Sequence, residues 1–531
     1  MQGSLKIFII SYNDYIMDFF DDITLELDSG EIKNKEDLQR EKIRLSKIYN
    51  LDYIPSDVEI LNYKNNKKYE NILKIKPTRT ISGVAVVAAM TSPERCPHGK
   101  CIFCPGGVDT NSPQSYTGFE PSALRGRYNS YDSYNITFNR LKQLETIGHD
   151  TSKIDLIIMG GTFTARSPEY QRAFVKGCLD GMNKYVSGSL EESMLMNESS
   201  QRRCIGLTVE TKPDWFMERD IDLALEYGTT KVELGVQILN DRILNINNRG
   251  HGLAEIIRST RLARDAGLKI VYHIMPGMYG SSYSDDVKSF DEMFSNSDYM
   301  PDMLKIYPTL VVRGTSLYKL WKSGKYVPYD TERAVNLITY FMARMPPWVR
   351  VMRMQRDIPV QFIEAGVKRS DLRNLVMENL KKLNLKTMEI RSREIGIEKH
   401  KYNNDFRLVR RNYRAGSGDE IFLSYENSND DIIGFIRLRI PSEYAHRKEV
   451  YNSSIIREIK VFGNIVPLGS HNSNEWQHHG LGHNLLNEAE RITRDEYGLK
   501  RILVISGIGV RNYFRKYGYE RLGPYMAKSL Y

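Results

Sequence analysis

The chain has 531 residues, 41% hydrophobic and 27% charged, and its 75 basic against 66 acidic side chains leave a formal net charge of +9 at pH 7. That balance excludes a disordered or fibrous chain, and no apolar run reaches the ~18 residues of a membrane-spanning helix. No basic, apolar, small-residue leader opens the chain, so the expected location is cytoplasmic, and its five cysteines are expected to be reduced thiols rather than a disulfide framework.

At about 150 residues per domain the length predicts two or more domains. The opening is acidic and apolar. From Lys33 to Arg79 basic residues then recur, including Lys64, Lys67, Lys68, Lys74, Lys76 and Arg79, interleaved with Tyr63 and Tyr69. Such a surface can follow a phosphate backbone while its aromatics stack on bases, although charge alone fits a merely solvated basic face equally well.

From Gly83 onward short apolar runs alternate with amphipathic stretches. The runs are "GVAVVAAM" at 83, "KIDLIIMGGT" at 153, "IGLTVET" at 205, "KVELGVQ" at 231, "LKIVYHIMPG" at 268 and "MLKIYPTLVV" at 303. Helices are expected over Ser122 to Ile147, Pro168 to Tyr185, Asp214 to Tyr227, Leu253 to Ala266 and Ser284 to Phe294. Six buried strands with crossover helices predict a parallel sheet, either a partial barrel or a doubly wound sheet. In both, chemistry gathers at the carboxyl ends of the strands. A helical segment, Asp371 to Leu385, leads to a second domain from about Glu398. There "DEIFLSYE", "DIIGFIRLRI" and "SIIREIKVFG" read as antiparallel strands, followed by loop and helix and a further strand, "KRILVISG", an α+β pattern.

Directly after the first strand comes "ERCPHGKCIFCPGG", which holds Cys96, Cys101 and Cys104. Three thiols suit neither a four-ligand zinc site nor a disulfide framework. His98 could complete a zinc knuckle, the thiols could simply be buried, or they could bind three irons of a 4Fe-4S cluster and leave the fourth iron to a small molecule. In the second domain "QHHGLG", Gln477 to Gly482, follows a strand and opens a helix. Glycines there would let the amides of the first turn face an anion, a plausible pyrophosphate cradle, though such a pair is usually only a turn.

The cysteine stretch resembles the cluster loop of the radical S-adenosylmethionine enzymes, and in particular that of the Elongator catalytic-subunit family. Further matches are "QSYTGFEPSALRGRY", "MGGTFTARSPEYQ", "TVETKPDW", "ELGVQ", "NRGH", "LKIYPTLVVRGTSLYKLWKSGKY" and "RMQRDIP", and the resemblance runs from about Lys76 to the end. It implies an α/β fold, a radical S-adenosylmethionine partial (β/α)6 TIM-like barrel followed by an α+β GNAT acetyltransferase domain. The expected organisation is a basic tRNA-binding segment at 1–75, the radical core at 76–330, connecting helices at 331–397 and the acetyltransferase-like domain at 398–531.

The resemblance also implies ligands and residues. Cys96, Cys101 and Cys104 would hold the cluster, and Gly160, Gly161, Glu210 and Gln237 the S-adenosylmethionine. Acetyl-CoA would meet Lys153, then Glu458, Ile459, Lys460 and Val461, then Gln477, Gly480, Leu481, Gly482 and His483, and Phe514. Tyr513 and Lys153 are the candidate catalytic side chains. A CoA contact from Lys153 would give the two domains one shared active site.

The implied activity is an acyltransferase on uridine 34 of tRNA. A hydrogen atom leaves the methyl of acetyl-CoA, the carbon radical adds to C5, and thioester hydrolysis leaves 5-carboxymethyluridine. The partner is the tRNA anticodon stem-loop, with a homodimer or a larger complex left open and no membrane. Relatives often carry tyrosine where Phe514 stands, and three cysteines where this chain reads Thr387, Glu389 and Ser392, so a zinc site is not expected there. The rival readings are a protein lysine acetyltransferase with a structural cluster, and a nucleic-acid-binding scaffold whose ligand sites are vestigial.

Overall fold

The computed structural model describes residues 2–73, 83–395, 405–462 and 480–531. They fall into two compact units, Met1–Ala85 with Asn139–Ser152, and Val86–Phe138 with Lys153–Tyr531. Among the described residues no helix is long and apolar enough to cross a membrane.

The first unit is helical, with Gln2–Ser29, Lys35–Ile48 and Asp57–Asn62 as its main elements. Asn34 caps the second of these by accepting from the Asp37 amide, and Ser56 with Glu59 closes a capping box on the third. Phe19, Ile23 and Leu27, spaced by one helical turn, meet Leu38, Leu45, Ile60 and Leu61 in the core.

Tyr63, Tyr69, Lys64 and Lys68 are tied to side chains of the opening helix, while both lysines stay exposed. Tyr63 stacks on Phe20 at 5.0 Å between ring centres. Lys64 is paired with Asp21, and Lys68 with Asp28 at 2.6 Å. The acidic opening helix thus neutralises cations that sequence alone left open. Lys74, Lys76 and Arg79 lie outside the described residues.

The second unit contains two large sheets. The first comprises β1 (Ala85–Met90), β2 (Lys153–Met159), β3 (Arg203–Thr211), β4 (Lys231–Gln237), β5 (Lys269–Ile274) and β6 (Met303–Ile306). After the short β7 (Val311–Val312) comes its seventh strand, β8 (Arg350–Arg353), while β9 (Ile363–Ala365) pairs with β7. The order is sequential, β1 to β6 and then β8, and each pairing from β2 to β8 is parallel. This is a curled half-barrel with one strand more than the six expected. The extra strand falls in residues read as connecting helices, because "RVMR" is short and carries arginine at both ends. The single helix expected from Ser122 to Ile147 is also two, Pro121–Tyr128 and Ser133–Thr146, parted where Ser130 and Tyr131 take φ of 51° and 57°.

Strand alternation gives this sheet two unlike faces. Val232, Leu234 and Val236 of β4 are fully buried on one face, while Lys231, Glu233 and Gln237 stand on the other. Register aligns Thr208, Lys231 and Lys269 in one row and Glu210 with Glu233 in the next. One face is apolar, and the other is charged from its amino-terminal foot to its carboxyl-terminal rim.

The second sheet has β10 (Arg407–Ala415), β11 (Gly418–Glu426), β12 (Ile432–Ile440), β13 (Ser453–Val461), β14 (Arg501–Val504), β15 (Glu520–Leu522) and β16 (Tyr525–Ser529), in the order β10-β11-β12-β13-β14-β16-β15. Only the β13–β14 pairing is parallel. The helix Leu481–Arg491 buries Leu485, Leu486 and Ala489 against Ile421, Leu438 and Ile456. β14 accompanies β13 only as far as Ile456, with one further bond from the Ile505 amide. Beyond it Glu458 to Val461 pair with β12 alone, and the chain leaving β14 turns to the start of β3, where a Cβ on Gly507 would lie 2.0 Å from the Ile205 carbonyl oxygen. β13 therefore has an open edge.

A buried ion network joins the two sheets. Arg457 on β13 pairs with Asp302 beside β6, and Arg439 on β12 pairs with Asp265 at 2.5 Å; all four side chains are fully buried.

Candidate functional site

The rim of the first sheet carries the cysteines. All three are buried, and they line one cavity with Gly161, Glu210 and Gln237, the residues expected there from sequence. Gly160 and Gly161, which follow β2, take φ of 141° and 95°, a region that disfavours any side chain. A Cβ on Gly160 would lie 1.9 Å from Thr91 Oγ1, so the Thr91 side chain fills that space. One on Gly161 would stand 3.2 Å from Gln114 Cβ and 3.8 Å from Cys96 Sγ, inside the cavity. Gln237 holds φ of 73° at the end of β4, and its buried Oε1 has no hydrogen-bond partner. Glu210 accepts a hydrogen bond from the Tyr116 hydroxyl at 2.8 Å.

The thiols sit among donors and cations. Arg249 Nη1 lies 3.1 Å from Cys101 Sγ, and its Nη2 donates to the Gly235 carbonyl at 2.6 Å. The Ser115 amide donates to Cys104 Sγ at 3.1 Å. Burial pushes the Cys104 thiol up to about 11 and raises Cys96 as well, while Lys212 and Arg249 oppose the rise at Cys96. Burial together with Lys212 and Arg249 lowers His98 to about 3, so its imidazole is neutral. Three soft donors, two nearby cations and an open side with an unsatisfied amide oxygen fit a negatively charged iron–sulfur cluster with a small molecule beside it. The other two cysteines, Cys178 and Cys204, are fully buried elsewhere and offer no fourth thiolate.

Deeper on the charged face Glu233, on β4, accepts from His273 Nε2 at 2.8 Å and from Lys305. Burial would raise the Glu233 carboxyl, but Lys305 and His273 hold it well below the usual carboxylate range. Ligand atoms of Glu210, Glu233 and His273 lie within 4.8 Å of one another, a spacing suited to a cation. The Lys305 ammonium already supplies that charge.

The acetyl-CoA residues expected from sequence gather at other elements. Glu458 to Val461 form the open edge of β13. Gly480, at φ 74°, precedes the helix whose first turn is Leu481, Gly482 and His483, and amides of a first turn have no intrahelical acceptor. A Cβ on Gly482 would come within 3.1 Å of the Tyr513 hydroxyl, so the Gly482 backbone and the Tyr513 side chain are close there. Phe514, expected beside the ligand, is 2% exposed with its ring in the core, and Tyr513 next to it on the helix Arg511–Arg515 is partly buried against the same core. Gln477 lies outside the described residues.

Lys153 opens β2 at the foot of the sheet, whereas Gly160 follows its rim. Seven residues of strand span ~23 Å. Lys153 and the cysteine cavity therefore stand at opposite ends of the same strand. Sequence reasoning also missed Tyr116, Arg249, His273 and Lys305. The signal for the last two was the alternation of polar and apolar residues in "LKIVYHI" and "MLKIY", which were read only as buried runs.

Comparison with known proteins agrees with this geometry. Residues 90–293 match the model of the Radical SAM superfamily, residues 301–382 that of the Radical_SAM C-terminal domain, and residues 16–81 that of the ELP3 N-terminal domain. A protein of Methanocaldococcus infernus named tRNA uridine(34) acetyltransferase is 48% identical, over 96% of this chain and 98% of its own length. Elongator complex protein 3 of Homo sapiens is 42% identical, over 96% of each chain. The solved structure of Methanocaldococcus infernus Elp3 with an N-terminal deletion superposes with a TM-score of 0.76 at 46% identity, covering 85% of this chain and 100% of that one.

Proposed function

The chain belongs to the family of tRNA uridine(34) acetyltransferases and Elongator complex protein 3, and from that premise we propose how it modifies uridine 34 of tRNA. Cys96, Cys101 and Cys104 hold a 4Fe-4S cluster at the rim of the first sheet, and S-adenosylmethionine lies against Gly160, Gly161, Glu210 and Gln237. The open edge Glu458 to Val461 and the first turn Leu481 to His483 hold acetyl-CoA in a domain of the GNAT type. One observation carries the reading: three buried thiols share a cavity with Gly161, Glu210 and the partnerless Gln237 Oε1.

The cluster and S-adenosylmethionine, when bound, supply the one-electron chemistry needed to take hydrogen from an unactivated methyl group. The chain's own residues orient and shield. Arg249 and Lys212 offset the negative charge of the thiolates. Tyr116 fixes the Glu210 carboxylate, leaving its other oxygen for amino or hydroxyl groups of the ligand. The glycines let the ligand approach backbone without side-chain interference. At the second site the first-turn amides would face the pyrophosphate, the β13 edge would pair with the pantetheine amides, and the Tyr513 hydroxyl stands beside Gly482.

The unit Met1–Ala85 with Asn139–Ser152 is the tRNA-binding part, and the anticodon stem-loop is its target, since an unpaired base can be splayed out for reaction. The radical core runs through β8 and the acetyltransferase-like domain from about 398. The protein acts in the cytoplasm, as a homodimer or within a larger complex.

The test is anaerobic reconstitution, incubation with S-adenosylmethionine, a reductant, acetyl-CoA and tRNA, and mass analysis of the digested nucleosides. Carboxymethyluridine and 5′-deoxyadenosine are the expected products. Absence of both overturns the reading, and acetyl-lysine on a protein substrate in their place would favour a lysine acetyltransferase.

A further inference from the structure

At the foot of the first sheet nearly every charge near β13 has a partner of opposite sign. Lys231 Nζ is 3.0 Å from Asp155. Glu458 accepts from Arg437 Nε at 2.9 Å. Arg350 pairs with Glu394. Lys269 is an exception, its Nζ reaching only a neutral acceptor, the Arg457 carbonyl oxygen at 3.4 Å.

Lys460 differs. It is partly buried, and among the described residues no carboxylate hydrogen-bonds its Nζ, which rests 4.8 Å from the centre of the Phe462 ring. It lies opposite Phe435 of β12, two residues from Glu458 and therefore on the same face, at the edge of β13 that has no second strand. The charges that act on it most strongly are those of Arg350, Glu458, Lys231 and Asp155.

Resting on the reading that this edge holds acetyl-CoA, we propose that Lys460 Nζ is the proton acceptor for the water that hydrolyses the thioester. The free amine takes one proton from water as the water oxygen bonds to the thioester carbonyl carbon. The tetrahedral adduct then expels the CoA sulfur with the C–S electron pair, and the Lys460 ammonium returns the proton to that thiolate. The products are a carboxylic acid, which ionises, and the free thiol; nothing is oxidised or reduced. The same step applies to acetyl-CoA and to a thioester carried on the uridine.

The neighbouring groups are less suited. Against burial, Arg437 and Lys269 hold the Glu458 carboxyl below its usual range, which makes it a weak base. Burial raises the Tyr513 phenol far from neutrality. For Lys460, burial and Arg350 push the ammonium down to about 7, outweighing Glu458, so free amine is abundant at neutral pH.

The experiment uses the full chain with tRNA and acetyl-CoA, without S-adenosylmethionine or reductant, and follows free thiol release against pH while calorimetry measures acetyl-CoA binding. Thiol release by the wild type should rise with pH and level off above about 7. Lys460→Arg, permanently charged, should bind acetyl-CoA within about threefold of wild type but release thiol about 100-fold more slowly or worse, with no inflection. Lys460→His should restore a pH-dependent rate with an inflection near the histidine value of ~6.5. A Lys460→Arg protein that hydrolyses at the wild-type rate overturns the assignment while leaving acetyl-CoA binding intact, as does a wild type that binds acetyl-CoA yet releases no thiol. A wild type that binds no acetyl-CoA overturns the underlying reading instead.

Discussion

Arg457 grips Asp302 with both ends of its guanidinium, Nη1 lying 2.6 Å from Oδ2 and Nη2 2.6 Å from Oδ1. One residue belongs to the second sheet and the other to the foot of the first, and both are fully buried. Glu420 also accepts from Arg457 Nη2 at 2.7 Å, and the Ile270 amide donates to Asp302 Oδ2 at 2.9 Å. Asp302→Ala leaves the buried Arg457 guanidinium with Glu420 alone and is expected to cost about 3–5 kcal/mol in denaturant unfolding. Burial would raise the Asp302 carboxyl, but Arg457 and Arg264 hold it well below the ordinary carboxylate range. A depressed folded pKa stabilises the fold fully above the unfolded value of ~3.9, and that contribution falls away as pH drops below it. Asp302→Asn should accordingly lose stability at neutral pH and show a shallower acid limb; an unchanged acid limb would place the pH sensitivity elsewhere.

The cysteine ligands make a second prediction. Cys101 is the thiol next to Arg249, whose guanidinium also ties to β4 through Gly235. Cys101→Ala should abolish stoichiometric iron and acid-labile sulfide after reconstitution. The second sheet, with its own core around Leu438, Ile456 and Leu485, should unfold as in the wild type. Iron retained at the wild-type ratio would contradict the ligand assignment.

Gly161 tests the cofactor cradle. Alanine there would adopt φ of 95° and press its Cβ to 3.2 Å from Gln114 Cβ, so strain of order 1–3 kcal/mol is expected. Because the methyl would project toward Cys96 Sγ, the loss should fall on S-adenosylmethionine affinity, ~10-fold or more by calorimetry. Acetyl-CoA affinity, read at the other end of the sheet, should not change. Equal weakening of both ligands would mean a global effect.

What could be read from sequence was local. The thiols lie within nine residues of one another, from Cys96 to Cys104, and the glycines adjoin their strand, so spacing and composition announced them. Arg249 reaches Cys101 across 148 residues, and Lys305 reaches Glu233 across 72, so neither contact leaves a local trace. Lys305 and His273 were visible as polar alternates in strands, but a strand inside a half-barrel is usually apolar on both faces. Phe514 and Tyr513 are adjacent, and only the orientation of a short helix decided which ring is fully buried and which only partly. β8 and β10 were hidden because arginine-rich strands lack the apolar pattern that marks a strand.

The last prediction concerns Glu389, which stands with Thr387 and Ser392 where the resemblance places three cysteines in relatives. Here these residues form a hydrogen-bonded knot without thiols. Glu389 is fully buried, its Oε2 accepts from the Val351 amide of β8 at 3.0 Å and the Arg391 amide at 2.9 Å, and its Oε1 accepts from Ser392 Oγ at 2.7 Å and Arg373 Nη1 at 3.1 Å. Thr387 Oγ1 accepts the Glu389 amide at 3.4 Å. Four donors converging on one carboxylate tie the residues before the second domain to the last strand of the first sheet. Glu389→Ala orphans two backbone amides and the Arg373 guanidinium together, and should cost about 3–5 kcal/mol. Glu389→Gln retains an acceptor oxygen and should lose less. Treatment with a chelator should leave the unfolding midpoint of reconstituted wild-type protein unmoved, apart from any loss of iron measured in parallel. A chelator-induced fall in stability at constant iron content would show that a metal, and not the Glu389 carboxylate, holds this joint.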